Sequence, residues 1–411
     1  MDTLGFHYYN DSDHYQRKHL HRWLPAWKEL ELSWLVLQAP SNRAVPEFFL
    51  QGVRSAGIQP VLHFQLPTDA IPRAEDFQLL FKTYARWGVE HVILYDRPNL
   101  RTSWGADSWA QSGLVERFLD RFLPLAEGAL QAGLTPVFPP LAPGGDYWDT
   151  MFLRAGLSGL QRRASKPLLK KLVLSAWAAG NGHSLNWGAG GPERWPEAQP
   201  YTESADTEDQ RGFRIVDWYL TLSEAVLDKK LPVFMLGLGG QAPEDEDPLA
   251  WEMTMVRLLD GQEVEDCEPL PDEVLGGMFR LVPEIGREAE SSGWYHEPGK
   301  PRPIVEAYHQ LQGEAEAKTP DRFRFRHYLL LPVYDWGIAD WHLEVTRSYI
   351  KKHRPTVGFS LQEAARAEEV TVLGGQEHFS EEDINHLRTR GCLVRRVEGD
   401  GTDIAAQLSA I

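Results

Sequence analysis

Eight short apolar runs, each followed by a longer amphipathic stretch, fill the first three quarters of the chain and limit its fold more than any other feature. The runs are 4–10, 33–39, 59–65, 91–96, 134–140, 172–177, 232–237 and 277–282, with helical stretches that include 14–30, 46–56, 75–87, 114–131 and 212–227. Asp11, Ser12 and Asp13 offer N-caps to the first helix. Gly57, Gly88 and Gly133 stand where left-handed C-caps would end later helices. Repeated βα units in this number predict an α/β chain built mainly as a (β/α)8 TIM barrel. An open doubly wound sheet is the other way to arrange such units. The first run, however, leads into Phe6-His7-Tyr8-Tyr9-Asn10 rather than a Gly-rich phosphate turn.

At 411 residues the chain has room for one large domain and one small one. Segment 313–320 turns polar and rich in Glu, Ala and Lys, which predicts a linker. Beyond it, strands at 327–334, 369–373 and 392–397 alternate with helices at 340–353, 380–390 and 402–410. The expected domains are therefore a barrel over 1–318 and a small C-terminal α/β domain over 319–411.

A formal net charge of −17 argues against a nucleic-acid partner, which needs a basic face. No apolar run approaches the ~18 residues of a membrane span, so no membrane insertion is expected. The opening Met1-Asp2-Thr3-Leu4 lacks the basic and apolar regions of a secretory leader, which predicts a cytoplasmic protein. Removal of a leader would place it in the cell envelope or outside. Cys267 and Cys392 make neither a disulfide framework nor a zinc site, and His19 and His21 face different sides of a helix. No metal and no cofactor are expected, and no Gly-x-Ser-x-Gly elbow supports serine hydrolase chemistry. Fifteen tryptophans stand out, several in loops near Gly, Pro or Asn, among them Trp104, Trp148, Trp187, Trp195 and Trp294. Such indoles either cover junctions between loops and barrel or offer stacking faces to sugar rings.

The fourth run ends Ile93-Leu94-Tyr95-Asp96-Arg97-Pro98-Asn99-Leu100, with Trp104 shortly after, and the seventh reads Val233-Phe234-Met235-Leu236-Gly237-Leu238-Gly239-Gly240. These segments resemble the acid/base and nucleophile strands of the retaining glycoside hydrolases with (β/α)8 barrels, which end in Asn-Glu-Pro-Asn and Thr-Glu-x-Gly. Pro143-Gly144-Gly145-Asp146-Tyr147-Trp148 and Trp294-Tyr295 are similar to that clan as well. The resemblance implies a glycan-directed barrel over 4–312. It also implies that Arg97 occupies the acid/base position and Gly237 the nucleophile position. Retaining hydrolysis needs two carboxyl groups roughly 5–5.5 Å apart, and neither arginine nor glycine can supply one. Asp96 is the surviving candidate for catalysis. An inverting arrangement could pair it with Asp146 or with Glu244 of the acidic run 244–247, and an ion pair with Arg97 is its plain structural alternative.

His7, Gln38, His63 and Gln65 fall at the ends of the first three runs and would converge on one pocket at the barrel top. With Tyr9, Arg97, Asn99, Asp146, Trp177, Trp187 and Trp294 they form the expected substrate-binding set. Arg97 suits an anionic sugar or wall polymer, because a guanidinium grips a carboxylate or phosphate in two places.

In the C-terminal domain, Val370-Thr371-Val372-Leu373-Gly374-Gly375, Phe379-Ser380, Val394-Arg395-Arg396-Val397-Glu398-Gly399, Thr402 and Ala405 resemble one copy of a type-2 clostridial cell-wall-binding repeat. That resemblance implies an anchor for anionic wall polymers. Against it stands a domain that only packs or joins copies of the chain into a homo-oligomer. The expected function is recognition of a carbohydrate or cell-wall polymer without retaining catalysis. An active hydrolase using Asp96, or an assembly protein, are the alternatives.

Overall fold

Strands β1 (Leu4–His7), β2 (Trp34–Gln38), β3 (Gln59–Phe64), β4 (His91–Leu94), β5 (Thr135–Val137), β6 (Leu174–Trp177), β7 (Val233–Leu236) and β8 (Val274–Arg280) form one parallel sheet. Its order is β5-β4-β3-β2-β1-β8-β7-β6. The two ends meet through a parallel bridge between Val137 and Val173, where Phe138 N–H donates to the Val173 carbonyl at 2.8 Å. The sheet therefore closes into a (β/α)8 barrel. The computed structural model describes residues 3–70, 73–202, 207–283, 293–318, 325–334, 337 and 339–409. It forms two compact units, Met1–His309 and Gln310–Ile411.

Side chains of a strand alternate between the barrel interior and the helix layer. Val36, Val61, Ile93, Val137, Val173, Phe234, Leu236 and Met278 fill the interior. At its foot, Trp34 turns its ring edge-on to Phe234 and to His91, with centroids 5.0 and 5.7 Å away. Gly276 makes this possible, since a Cβ there would lie 2.8 Å from the Trp34 ring. The same parity carries one further inward residue to the top of several strands: His7, Gln38, His63, Trp177 and Arg280.

All eight expected strands are present; most are shorter, the fifth most of all, while the eighth starts three residues earlier, at Val274. The fourth ends in an unusual turn. It stops at Leu94, and both Tyr95 and Arg97 adopt left-handed backbone angles, φ +70° and +44°. Gly57, Gly88 and Gly133 take the left-handed conformation expected of them, with φ +83°, +80° and +96°. The N-caps expected at Asp11, Ser12 and Asp13 are not used. The helix is Arg17–Glu29, and the Gln16 N–H donates to His19 Nδ1 at 3.4 Å. Asp11 instead closes a turn, accepting from the N–H groups of Asp13 and His14. The expected linker also differs: helix Pro303–Lys318 runs through its first part, because Glu, Ala and Lys are strong helix formers. Residues 319–320 of that linker lie outside the described residues.

After a short antiparallel pair, β9 (Tyr295–Glu297) and β10 (Lys300–Pro301), the second unit has its own parallel sheet. Its strands are β11 (Phe325–Leu330), β12 (Thr356–Gly358), β13 (Ala367–Leu373) and β14 (Leu393–Val397), in the order β12-β11-β13-β14. Strand β12 and the helix Leu361–Ala364 were not expected, each being too short to show a period. Apolar residues alternate to the two faces: Tyr328, Leu330, Val370 and Val372 pack on one, Leu329, Leu331, Leu373 and Val397 on the other. Arg396, the arginine of the wall-binding resemblance, donates to the carbonyls of Gly374 and Phe379 and pairs with Glu381, tying strand to loop. No helix among the described residues is long and apolar enough to cross a membrane.

Asp149 begins helix Asp149–Arg163 and is fully buried, accepting from Gly144 N–H (2.9 Å), Gln210 Nε2 (2.7 Å) and Tyr219 Oη (3.2 Å). Burial pushes its carboxyl up to about 6, and those donors only partly offset it. A raised folded-state pKa means that this contribution is complete below the unfolded value and fades as pH rises through the folded one. Replacing Asp149 by Asn removes that linkage. The variant should gain on the wild type by up to about 3 kcal/mol between pH 4 and pH 7, read by urea denaturation at both.

Candidate functional site

Six strands contribute to a small cavity at the carboxyl end of the barrel, lined by His7, Gln38, His63, Arg97, Trp177 and Arg280, with Tyr9, Asn10 and Gln65 at its rim. Its volume is about 40 Å3, room for a few waters or one small polar group. Among the described residues, its walls carry no carboxylate.

Trp177 organises the centre. Its ring lies nearly parallel to His7 at 5.4 Å, the Arg97 guanidinium sits 4.7 Å from its centroid, and its Nε1 donates to Asp96 Oδ1 at 3.1 Å. The left-handed turn after β4 brings Arg97 there. Tyr95 N–H donates to the Phe64 carbonyl at 2.8 Å and Arg97 N–H to the Pro140 carbonyl at 2.9 Å, so β3 on one side and the loop after β5 on the other hold the turn. Left-handed backbone costs roughly 1–2 kcal/mol at each such residue, a strain that the neighbouring strands offset.

Both cavity histidines are neutral at pH 7. Burial lowers the pKa of His7 most, with Arg280, His63 and Arg97 adding repulsion. Its Nε2 accepts from Gly237 N–H at 3.2 Å, which leaves the ring proton on Nδ1. His63 is also lowered by burial, and Asp96 partly offsets this. His63 Nε2 donates to the Tyr95 carbonyl at 2.9 Å, leaving Nδ1 free of the proton. Gln38 lines the cavity, and its Oε1 is buried with no partner in the structure.

Asp96 takes the structural alternative. Its Oδ2 lies 3.2 Å from Arg97 Nε, in an ion pair rather than an aligned hydrogen bond. It lines a neighbouring groove with Gln65, Asp69 and Trp104. Gly237, at φ +64°, leaves no room for a side chain: a Cβ would lie 2.6 and 2.8 Å from two Trp177 ring carbons.

Several residues expected in the binding set are placed elsewhere. Asn99 is fully buried and clamps loops, donating to the carbonyls of Ala142 and Tyr147 and accepting from Ala142 N–H. Asp146 accepts from Arg101 N–H at 2.7 Å on an exposed loop. Trp294 is wholly buried against Phe6, Phe279 and Tyr308, its Nε1 donating to Glu252. Trp187 lines a separate, larger cavity. At the cavity rim, where they were expected, Gln65 donates to Asn10 Oδ1 and Tyr9 stacks on His14 with centroids 3.8 Å apart. Sequence reasoning missed Arg280. Its signal was strand parity, because two residues past inward-facing Met278 the next inward position is 280.

The molecule is thus a closed (β/α)8 barrel with a pocket at its top lined by two arginines and two histidines, and a separate parallel α/β unit. No family model matches the chain, and no curated protein matches it. Among solved structures it is similar to a monomeric β-xylosidase from Caulobacter crescentus CB15 at 13% identity and TM-score 0.47, over 75% of this chain and 67% of that one. It is similar to a β-mannanase from Streptomyces thermolilacinus at 11% and 0.43, over 76% and 89%. It is also similar to β-glucuronidase 2 of Bacteroides uniformis at 10% and 0.48, over 81% of this chain but 38% of that one. These likenesses carry no argument about chemistry, and the barrel assignment rests on the strand order and closure.

Placing a carboxylate at position 237 should fail sterically. Gly237→Glu is expected to destabilise the barrel by on the order of 2 kcal/mol or more, shift tryptophan emission as Trp177 moves, and confer no glycoside hydrolysis. Thermal unfolding, fluorescence and a reducing-end assay check the three parts.

Proposed function

We propose that the barrel top recognises an acidic carbohydrate and holds it without retaining hydrolysis. One observation carries this reading: Arg97, which pairs with Asp96, and Arg280 converge with two neutral histidines and Gln38 on one cavity whose described lining residues include no carboxylate. Arginine pairs with a carboxylate through parallel hydrogen bonds, and partial burial strengthens that pairing. The Gln38 amide beside the arginines suits a hydrogen-bonding partner such as a hydroxyl. The cavity itself admits one small polar group, such as the carboxylate of a uronic acid whose ring lies outside it.

A second reading, inverting hydrolysis, draws on the groove beside the cavity, where Asp96 and Asp69 line about 480 Å3 of open space. In the second unit, the resemblance to a wall-binding repeat supports a further contact with anionic polymer, independent of the barrel.

Titration calorimetry with glucuronic acid and with glucose should show binding of the uronate alone. Arg97→Ala should weaken it about tenfold or more, the loss of one charged hydrogen-bonded contact. Because a bound anion favours protonated histidine, uronate affinity should rise as pH falls from 7 toward 5. Release of reducing ends from acidic oligosaccharides, abolished by Asp96→Asn, would replace this reading with the hydrolytic one.

A further inference from the structure

The loops after β5 and β6 enclose a second cavity of about 540 Å3, which shares no lining residue with the pocket at the barrel top. That volume lies within the usual range for a small-ligand site, roughly 300–1,000 Å3. Trp148, Trp187 and Trp218 stand in its walls. Their placement is braced: Trp218 Nε1 donates to the Gly188 carbonyl at 2.9 Å and Trp187 Nε1 to Asp209 Oδ1 at 3.2 Å. Trp187 also stacks on His183 with centroids 4.1 Å apart and planes 12° from parallel. Partly exposed and held from two sides, it forms a flat platform that needs little ordering when a ring settles on it.

The electrostatics differ from those of the barrel mouth. Arg211 pairs with Asp209 at 2.6 Å, so among the described lining residues an arginine is matched by a carboxylate of the same wall. The remaining polar groups include amides and hydroxyls, among them Asn181, Thr150, Gln199 and Thr202. Uncharged donors and acceptors around an aromatic floor match a neutral sugar ring rather than an anion. The two cavities are also neighbours along the chain. Trp177 of the first and Asn181 of the second are four residues apart, so their Cα atoms lie within about 14 Å.

Building on the uronate reading of the barrel mouth, we infer that this cavity is a second subsite for neutral pyranose residues. The ligand is then an oligosaccharide, with one acidic residue at Arg97 and uncharged sugars reaching Trp187.

Calorimetry on the full chain with three probes separates the sites. Glucuronic acid probes the barrel mouth, neutral xylotriose probes the second cavity, and an aldotetraouronic acid (one uronate on xylotriose) spans both. The spanning probe should bind at least tenfold tighter than glucuronic acid. Trp187→Ala should abolish that gain and xylotriose binding while leaving glucuronic acid unchanged, and Trp187→Phe should restore part of both. If the spanning probe binds no tighter than glucuronic acid, or if Trp187→Ala weakens all probes equally, the second subsite is overturned and the barrel-mouth reading stands. If glucuronic acid does not bind but xylotriose does, through Trp187, the barrel-mouth reading fails and the neutral subsite survives. Silence toward all three probes overturns both.

Discussion

Closure of the sheet is the constraint from which the rest of the molecule follows. Once Val137 and Val173 join the two ends, every strand must send alternate side chains into a space of fixed width. Trp34 and Phe234 fill its foot, and aliphatic side chains fill its middle. What remains at the top is one inward residue on each of five strands, four of them polar: His7, Gln38, His63 and Arg280, with Trp177 among them. Their convergence needs no special device beyond closure and parity.

The exception is the fourth strand, and it sets the character of the pocket. By simple alternation from Ile93, Tyr95 would point inward. It instead turns left-handed and packs against Phe118 in the helix layer, with ring centroids 5.4 Å apart. The turn moves Arg97 over Trp177 and leaves Asp96 beside it as a partner. A carboxylate at this tip is thereby occupied with an arginine and an indole. On the opposite wall, the Trp177 ring takes the space that a side chain at position 237 would need. The two strand tips that resemble the catalytic strands of retaining hydrolases are coupled through one tryptophan.

Burial then decides the charge state. Two histidines inside a cationic pocket remain neutral, since each would lose hydration and face a guanidinium if protonated. The pocket's positive charge therefore rests on the arginines, one of which is paired with Asp96. The cavity after β5 and β6 is balanced by contrast, its arginine matched by Asp209. One barrel top thus presents two chemically distinct faces within a short stretch of chain.

Much of this was legible in the residues alone. The eight βα units, the glycine stops at 57, 88 and 133, and the strand-end positions of His7, Gln38 and His63 follow from local periodicity, which depends only on near neighbours. Arg280 followed the same rule and could have been read from it. Loop residues behaved differently. Asn99, Asp146 and Trp294 have the chemistry of sugar contacts, yet the first two stitch loops together and the third fills the core. Trp187 and Trp177, alike as residues, serve different cavities. The sequence by itself determined the barrel and which strand ends face its mouth, because strand alternation is a property of adjacent peptides. Only the tertiary structure decided that Arg97 lies over Trp177 and that Gly237 is closed off. Those outcomes depend on backbone bonds to Phe64 and Pro140 and on the space a ring occupies, contacts between segments far apart in the chain.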